Sequence, residues 1–341
     1  MSQFRNLVFE GGGVKGLAYV GAMRVLEAKG ILDDIVRVGG TSAGAINAVL
    51  IAVGYSNDEQ RKILGDLDFN RFMDDSFGVV RDTKRLLEQY GWHKGEFFRE
   101  WMAGLIARKM GSENATFRDL ELRGCRALYL AGTNLSTGFG EVFSAEHTPT
   151  MRIVDALRIS MSIPLFFAAV RNVRGDVYVD GGLLDNFPIK LFDREKYIDD
   201  EAAVRPTDYY DKENAAFLRG DLAGRSPYVY NRQTLGFRLD SAKEIAAFRY
   251  GNVEVQRPID NFFDYTKALV ATTLNVQESM HLHSDDWQRT IYINSLGVKT
   301  TEFDLSTKMK NALVRSGKSC TEDYFEWFES SQGDDRAINK I

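Results

Sequence analysis

The sequence predicts an α/β fold. A strand, a glycine-rich turn and a helix follow one another twice within the first 52 residues. Further apolar, β-branched runs then alternate with stretches of helical spacing. At 341 residues, 44% hydrophobic and 27% charged, the chain is long enough for one large domain over residues 1–330, with a frayed tail at 331–341. No internal repeat and no linker divides it.

The first unit is a strand at Leu7-Val8-Phe9-Glu10, a turn at Gly11-Gly12-Gly13-Val14-Lys15-Gly16 and a helix from Leu17 to Lys29, stopped by Gly30. Leu17, Val20, Gly21, Val25 and Ala28 fall on its inward face. Consecutive glycines at a helix start let backbone N–H groups converge into a nest for a negative oxygen. Gly11, Gly12 and Gly13 are therefore candidate oxyanion-hole donors, and Lys15 is a candidate to hold a substrate anion or to form a surface ion pair. Gly11, Gly13 and Gly16 also satisfy the dinucleotide pattern G-x-G-x-x-G. That fold wants an acidic residue at the end of its second strand to hold a ribose. Asp33 and Asp34 precede the strand instead, and Gly39-Gly40-Thr41-Ser42 occupies its end.

The second unit runs from Ile35 through Val38 into Gly40-Thr41-Ser42-Ala43-Gly44 and an alanine-rich helix. Glycines two residues either side of a serine let strand and helix pack closely while the serine takes a strained backbone conformation at the tip. Ser42 is the candidate nucleophile, placed over the positive end of the helix; the plainer alternative is a helix N-cap.

Residues 57–114 have an amphipathic helical pattern in which Phe97, Trp101 and Leu105 share a face beside Phe98 and Met102. That face packs into a core, or else lines an acyl groove or rests on a membrane. Trp92 and His93, after Gly91, are expected in a loop. Arg126–Asn134 and Glu141–Phe143 read as strands, and Ile153–Ile159 as a helix ended by Ser160-Met161-Ser162-Ile163-Pro164. The strand Asp176–Val179 delivers Asp180-Gly181-Gly182 to a turn. Two glycines after a strand-tip carboxylate leave room for another loop to approach, so Asp180 is either a site residue or a turn-forming Asp. Asp185 or Asn186 is expected to cap a helix from Pro188. Residues 193–226 lose periodicity and read as an excursion, a lid or a regulatory surface. Late strands are expected at Thr234–Leu239 and Thr290–Ile293, flanking a helix from Phe262 to Met280, with closing helices at Ser306–Arg315 and Thr321–Phe328.

The net charge of -5 argues against a nucleic-acid polymer as partner. Cys125 and Cys320 lack metal-ligand spacing and read as reduced thiols. With no secretory h-region and no apolar stretch of membrane-spanning length, the expectation is a cytoplasmic protein with transient, peripheral membrane association.

Taken together, Gly11-Gly12-Gly13-Val14-Lys15-Gly16, Gly40-Thr41-Ser42-Ala43-Gly44, Ser160-Met161-Ser162-Ile163-Pro164, Asp180-Gly181-Gly182 and Asp185-Asn186-Phe187-Pro188 resemble the patatin-like phospholipase family. The resemblance covers roughly the first 190 residues and, more weakly, the C-terminal third. It implies a three-layer α/β/α fold with a mainly parallel central sheet and a catalytic dyad of Ser42 and Asp180, with no cofactor or metal. The implied substrates are acyl esters of phospholipids or lysophospholipids, and because several bacterial members of the family are effectors released by a partner or a small molecule, the excursion at 193–226 makes a protein or small-molecule activator a further candidate partner. A Ser-Asp-His triad using His281 or His283 is the mechanistic rival, but triad hydrolases build several strands before their elbow and Ser42 leaves room for one. A non-catalytic or conditionally active lipid-binding or signalling effector is the functional alternative, and a nucleotide-binding oxidoreductase, on the Gly11–Gly16 pattern, ranks below it.

Overall fold

Alternation along the first strand already divides the molecule into two faces: Leu7 and Phe9 enter the main core, and Val8 enters a second, smaller one. The computed structural model describes residues 3–330 apart from 74–85, 87, 199, 201–202, 206, 218–225, 243–258, 260–267, 270–271 and 273–284. In chain order the elements begin β1 (Asn6–Phe9), α1 (Ala18–Ala28), β2 (Arg37–Gly40), α2 (Ala43–Ala52) and α3 (Asn57–Gly65). They continue with β3 (Gly91–His93), α4 (Glu96–Met110), α5 (Phe117–Leu122), β4 (Ala127–Asn134), β5 (Phe139–Phe143) and α6 (Ile153–Ser160). Next come β6 (Leu165–Phe167), β7 (Val170–Arg171), β8 (Val177–Asp180), β9 (Val204–Arg205) and α7 (Asp208–Phe217). The last are β10 (Tyr230–Asn231), β11 (Thr234–Asp240), β12 (Thr290–Asn294) and α8 (Thr307–Ser330).

The central sheet has the order β12-β11-β1-β2-β4-β8-β7, with β5 also paired to β4. Every pairing from β12 to β4 is parallel, so the expected α/β fold with a mostly parallel sheet is what forms. The register around β4 builds the site. β5 lies antiparallel along Leu130–Asn134 of β4. β2, paired over Ala127–Leu130, and β8, paired over Gly132–Asn134, must therefore share the opposite edge and run head to head. Gly40 at the end of β2 is level with Leu130, and Asp180 at the end of β8 is level with Gly132.

The larger core fills the helical face of the sheet, where α4 contributes Phe98, Met102, Leu105 and Ile106. The other face is covered, among the described residues, by Phe187 from a bend and by Ile189, Phe192 and Tyr197 from two 3-10 turns rather than by regular helices. Helices α1 and α8 cross through Gly21 and Gly317, where an added Cβ would lie 1.9 Å from the carbonyl oxygens of Val314 and Ala18 respectively. This close crossing corrects one expectation: the two closing helices are the single helix α8, since packing against α1 holds Gly317 inside a helix despite its low propensity.

Other expectations change as well. Trp92 and His93 belong to β3, a short strand parallel to β6, because Gly91 lies so close to the Phe167 backbone that only a pleated approach fits. No helix starts at Pro188; a 3-10 turn over Ile189–Phe192 follows it, and neither Asp185 nor Asn186 caps that turn. The excursion contains helix α7 and is pinned at its root. Asp193 accepts two hydrogen bonds of 2.6 Å from Arg289 and one from Tyr210, and Arg289 also binds Asp286 at 2.5 Å. Lys196 and Tyr197 both hold Glu146. The helix expected from Phe262 to Met280, His281, His283 and the tail at 331–341 lie outside the described residues, apart from single positions at 268–269 and 272.

Candidate active site

Ser42 follows β2 directly and carries φ 53° and ψ -123°, the left-handed strain expected of a side chain lifted at a strand-to-helix elbow. The neighbouring glycines explain how the elbow closes. A Cβ at Gly40 would lie 2.6 Å from the Gly44 carbonyl carbon, and one at Gly44 would lie 2.3 Å from Phe9 O. The Ser42 N–H donates to Ser160 Oγ at 3.0 Å, and Thr41 Oγ1 donates to Asp185 O at 2.9 Å, so the elbow is tied to both neighbouring loops. Ser160, expected only as a helix-end residue, thus holds the nucleophile's backbone.

Asp180 arrives from the opposite direction on β8. Its N–H donates to Ser162 O at 2.9 Å, and its Oδ1 accepts from Gly182 N–H at 2.7 Å. Gly181 is required here, since a Cβ would meet Ala131 O at 2.6 Å. Oδ2 is buried with no hydrogen-bond partner among the described residues. Ser42 and Asp180 are each 4% exposed, and burial pushes the Asp180 carboxyl up to about 7, opposed by the Gly182 N–H and the nearby Ser42 hydroxyl. In this resting geometry the Ser42 hydroxyl faces Met161 Sδ at 3.7 Å, so the hydrogen bond from Ser42 to Asp180 is open. A carboxylate held near neutrality beside a serine hydroxyl can take that hydroxyl's proton at physiological pH.

The glycine turn divides its roles. Gly11 leaves the set of oxyanion donors, because its N–H is committed to Asn186 O at 3.0 Å. Among the described residues nothing accepts from the N–H groups of Gly12 and Gly13, which remain available at the start of a 3-10 turn. The Ala43 N–H, first in α2 and next to the nucleophile, is also without a partner among the described residues, a third donor that the sequence reading overlooked. Lys15 donates to Leu239 O at 3.2 Å, so its ammonium anchors the loop to β11.

Beneath the turn lies a buried polar clamp. Glu10 Oε1 accepts from Asn186 Nδ2 at 3.2 Å, and Oε2 accepts from Leu239 N–H at 2.5 Å. Asn186 Nδ2 also donates to Gly11 O at 3.2 Å. Arg238, 1% exposed, makes a two-point pair with Asp240 at 3.0 and 3.2 Å, and its Nε lies 3.9 Å from Glu10 Oε1. Glu10, Asn186 and Arg238 were not singled out from sequence as site residues. The available signal was the alternation of β11, which sets Arg238 and Asp240 on the face opposite Leu235, Phe237 and Leu239.

A nucleophile elbow and a buried carboxylate meeting beside free backbone donors on a parallel sheet define an esterase of the serine class. Residues 7–193, more than half of the chain, match the family model described as patatin-like phospholipase, and the chain belongs to that family of lipid-hydrolysing esterases. YqhO of Bacillus subtilis, an uncharacterized protein, is 29% identical over 333 residues, 92% of this chain and 96% of that one. Lysophospholipase NTE1 of Kluyveromyces lactis is 26% identical over 275 residues, 75% of this chain but 17% of that longer protein. Among solved structures, VipD from Legionella pneumophila has the same fold, with TM-score 0.56 and 18% identity over 95% of this chain and 67% of that one.

Proposed function

We propose that this protein hydrolyses carboxylic esters of phospholipids or lysophospholipids, as a phospholipase A or lysophospholipase, through a dyad of Ser42 and Asp180. The observation that carries the reading is the head-to-head meeting of β2 and β8, which brings a strained serine to a carboxylate whose second oxygen is buried and unpartnered. Rotation of the Ser42 hydroxyl from Met161 Sδ to Asp180 Oδ2 closes the dyad. Asp180 takes the hydroxyl proton as Ser42 Oγ attacks the ester carbonyl, and the N–H groups of Gly12, Gly13 and Ala43 hold the oxyanion. The lysolipid or glycerol alkoxide leaves with the proton from Asp180. Water, deprotonated by the same carboxylate, then attacks the acyl-enzyme, and Asp180 returns that proton to Ser42 Oγ as the fatty acid is released.

Lysophospholipase NTE1 is named for the corresponding chemistry, which supports this substrate class. The test is fatty-acid release from mixed phospholipid vesicles by wild type, Ser42→Ala and Asp180→Asn, with fluorophosphonate labelling of Ser42. Release by wild type and loss in both folded variants is the expected result. Undiminished release by Ser42→Ala would remove the nucleophile from the reading. Labelling of Ser42 without release would instead support the requirement for an activator.

A further inference from the structure

Both hairpins beside the site rise past it. Asp180 is level with Gly132 of β4, and β4 continues two residues further, so Asn134 stands about 7 Å above the catalytic level and the following turn about 10 Å. The turn between β7 and β8 rises on the same side, three residues above Asp180 at Val177. The two turns are stitched together: Leu135 N–H donates to Val177 O at 2.8 Å, and Val177 N–H donates to Ser136 Oγ at 2.9 Å.

Their side chains are opposite to what water selects at a hairpin tip. Val173 is 106% exposed, Phe139 71% and Leu135 48%. Arg171 and Arg174 flank them, with Arg174 paired to Asp176 at 3.1 Å, which leaves the β7–β8 tip one net positive charge. Most N–H groups of the two tips are bonded within their own turns. Asn134 Oδ1 accepts from the N–H groups of residues 136 and 137, and Asn172 Oδ1 from those of residues 174 and 176. Gly138 and Gly175 donate to the Asn134 and Asn172 carbonyls. A turn with most of its amides bonded internally enters a poorly hydrated layer with little of its backbone orphaned.

We propose that these two tips form a rigid lip that inserts into the interfacial layer of a phospholipid bilayer, with Leu135, Phe139 and Val173 among the upper acyl carbons and Arg171 and Arg174 on anionic headgroups. The proposal rests on the lipid-ester reading of the site, because it places the bilayer above Ser42 and Asp180, where the substrate resides. It concerns binding, so hydrolysis and docking separate in the test.

The experiment measures partition of the Ser42→Ala protein onto vesicles of phosphatidylcholine, with and without phosphatidylserine, by sedimentation. Combining Leu135→Ser, Phe139→Ser and Val173→Ser is expected to weaken partition at least about tenfold on both vesicle types. Arg171→Gln and Arg174→Gln should cost about fivefold each, and only where phosphatidylserine is present. With Ser42 intact, the triple variant should lose vesicle hydrolysis in parallel while keeping wild-type turnover of p-nitrophenyl butyrate, which also reports that it is folded. Partition of the triple variant within roughly twofold of its parent would overturn the lip. Val173→Trp provides a second readout: brominated lipid should quench its added emission, and no quenching would also overturn the proposal. If no preparation hydrolyses the soluble ester and wild-type Ser42 takes no fluorophosphonate label, the esterase reading fails while the partition data still decide the lip.

Discussion

Replacing Asp180 by Asn should destroy hydrolysis and stabilise the fold. Burial raises this carboxyl from 3.8 to about 7. A folded-state value above the unfolded one means that the protonated form is favoured on folding. Its contribution is complete below about pH 4 and is lost as pH rises through about 7. A shift of roughly three units corresponds to about 4 kcal/mol of penalty on the charged form by pH 8, and to about 2–3 kcal/mol of change between pH 5 and pH 8. Asparagine carries no charge to desolvate, and its Oδ1 keeps the 2.7 Å bond from Gly182. Its amide nitrogen takes the unpartnered place of Oδ2, at a cost of about 1–3 kcal/mol that does not vary with pH. The difference in urea-unfolding free energy between Asp180→Asn and wild type should therefore grow by about 2–3 kcal/mol from pH 5 to pH 8. The same proton controls activity: wild-type kcat/KM on a soluble ester should climb through about pH 7 to a plateau, and the variant should be flat and at least about 100-fold lower. A stability difference independent of pH, or a wild-type plateau already reached near pH 5, would refute the buried-base argument.

Three other perturbations address the scaffold. Asn186→Ala removes the clamp between Glu10 and the Gly11 carbonyl. It should lower kcat about 100-fold through a displaced glycine turn, with KM changing less, as steady-state kinetics would show. Gly44→Ala sets a Cβ 2.3 Å from Phe9 O and 2.6 Å from Glu10 O, both backbone, and should yield little folded protein by circular dichroism; Gly12→Ala, whose Cβ meets only the Leu239 Cδ1 end at 2.6 Å, should fold. Arg289→Met leaves Asp193 and Asp286 buried without their cation and should cost about 3–5 kcal/mol in denaturant unfolding.

The parts of the site readable from sequence were those in which local geometry dictates residue type. Gly40 and Gly44 around Ser42, and Gly181 after Asp180, are positions where a Cβ has no space, so the elbow and the strand tip were marked by glycines at fixed spacing. The parts that escaped depend on contacts between distant segments. Nothing near Glu10 reveals that Asn186 and Leu239 will converge on its carboxylate, 176 and 229 residues away. Gly11 and Gly12 are adjacent and chemically alike, yet one N–H is consumed by Asn186 O and the other has no acceptor among the described residues.

That division bears on how the dyad works. A single carboxylate is a competent base only if something raises its pKa without forming an ion pair, since a cation would lower it again. The fold meets this by running β8 head to head with β2, so that Asp180 ends inside the sheet rather than at a solvated loop. The cationic side chains nearby are occupied elsewhere: Lys15 on the Leu239 carbonyl, Arg238 on Asp240, and Arg158 on Ser162 Oγ at 2.6 Å and the Ala168 carbonyl. A lysine introduced at Met161, the residue that now faces the Ser42 hydroxyl, should therefore return Asp180 toward an ordinary carboxylate pKa. Measured as kcat/KM against pH, the rising limb should move to lower pH while the plateau rate falls, because a weaker base takes the serine proton less readily. A limb that stays near pH 7 in this variant would mean that some group other than Asp180 controls the reaction.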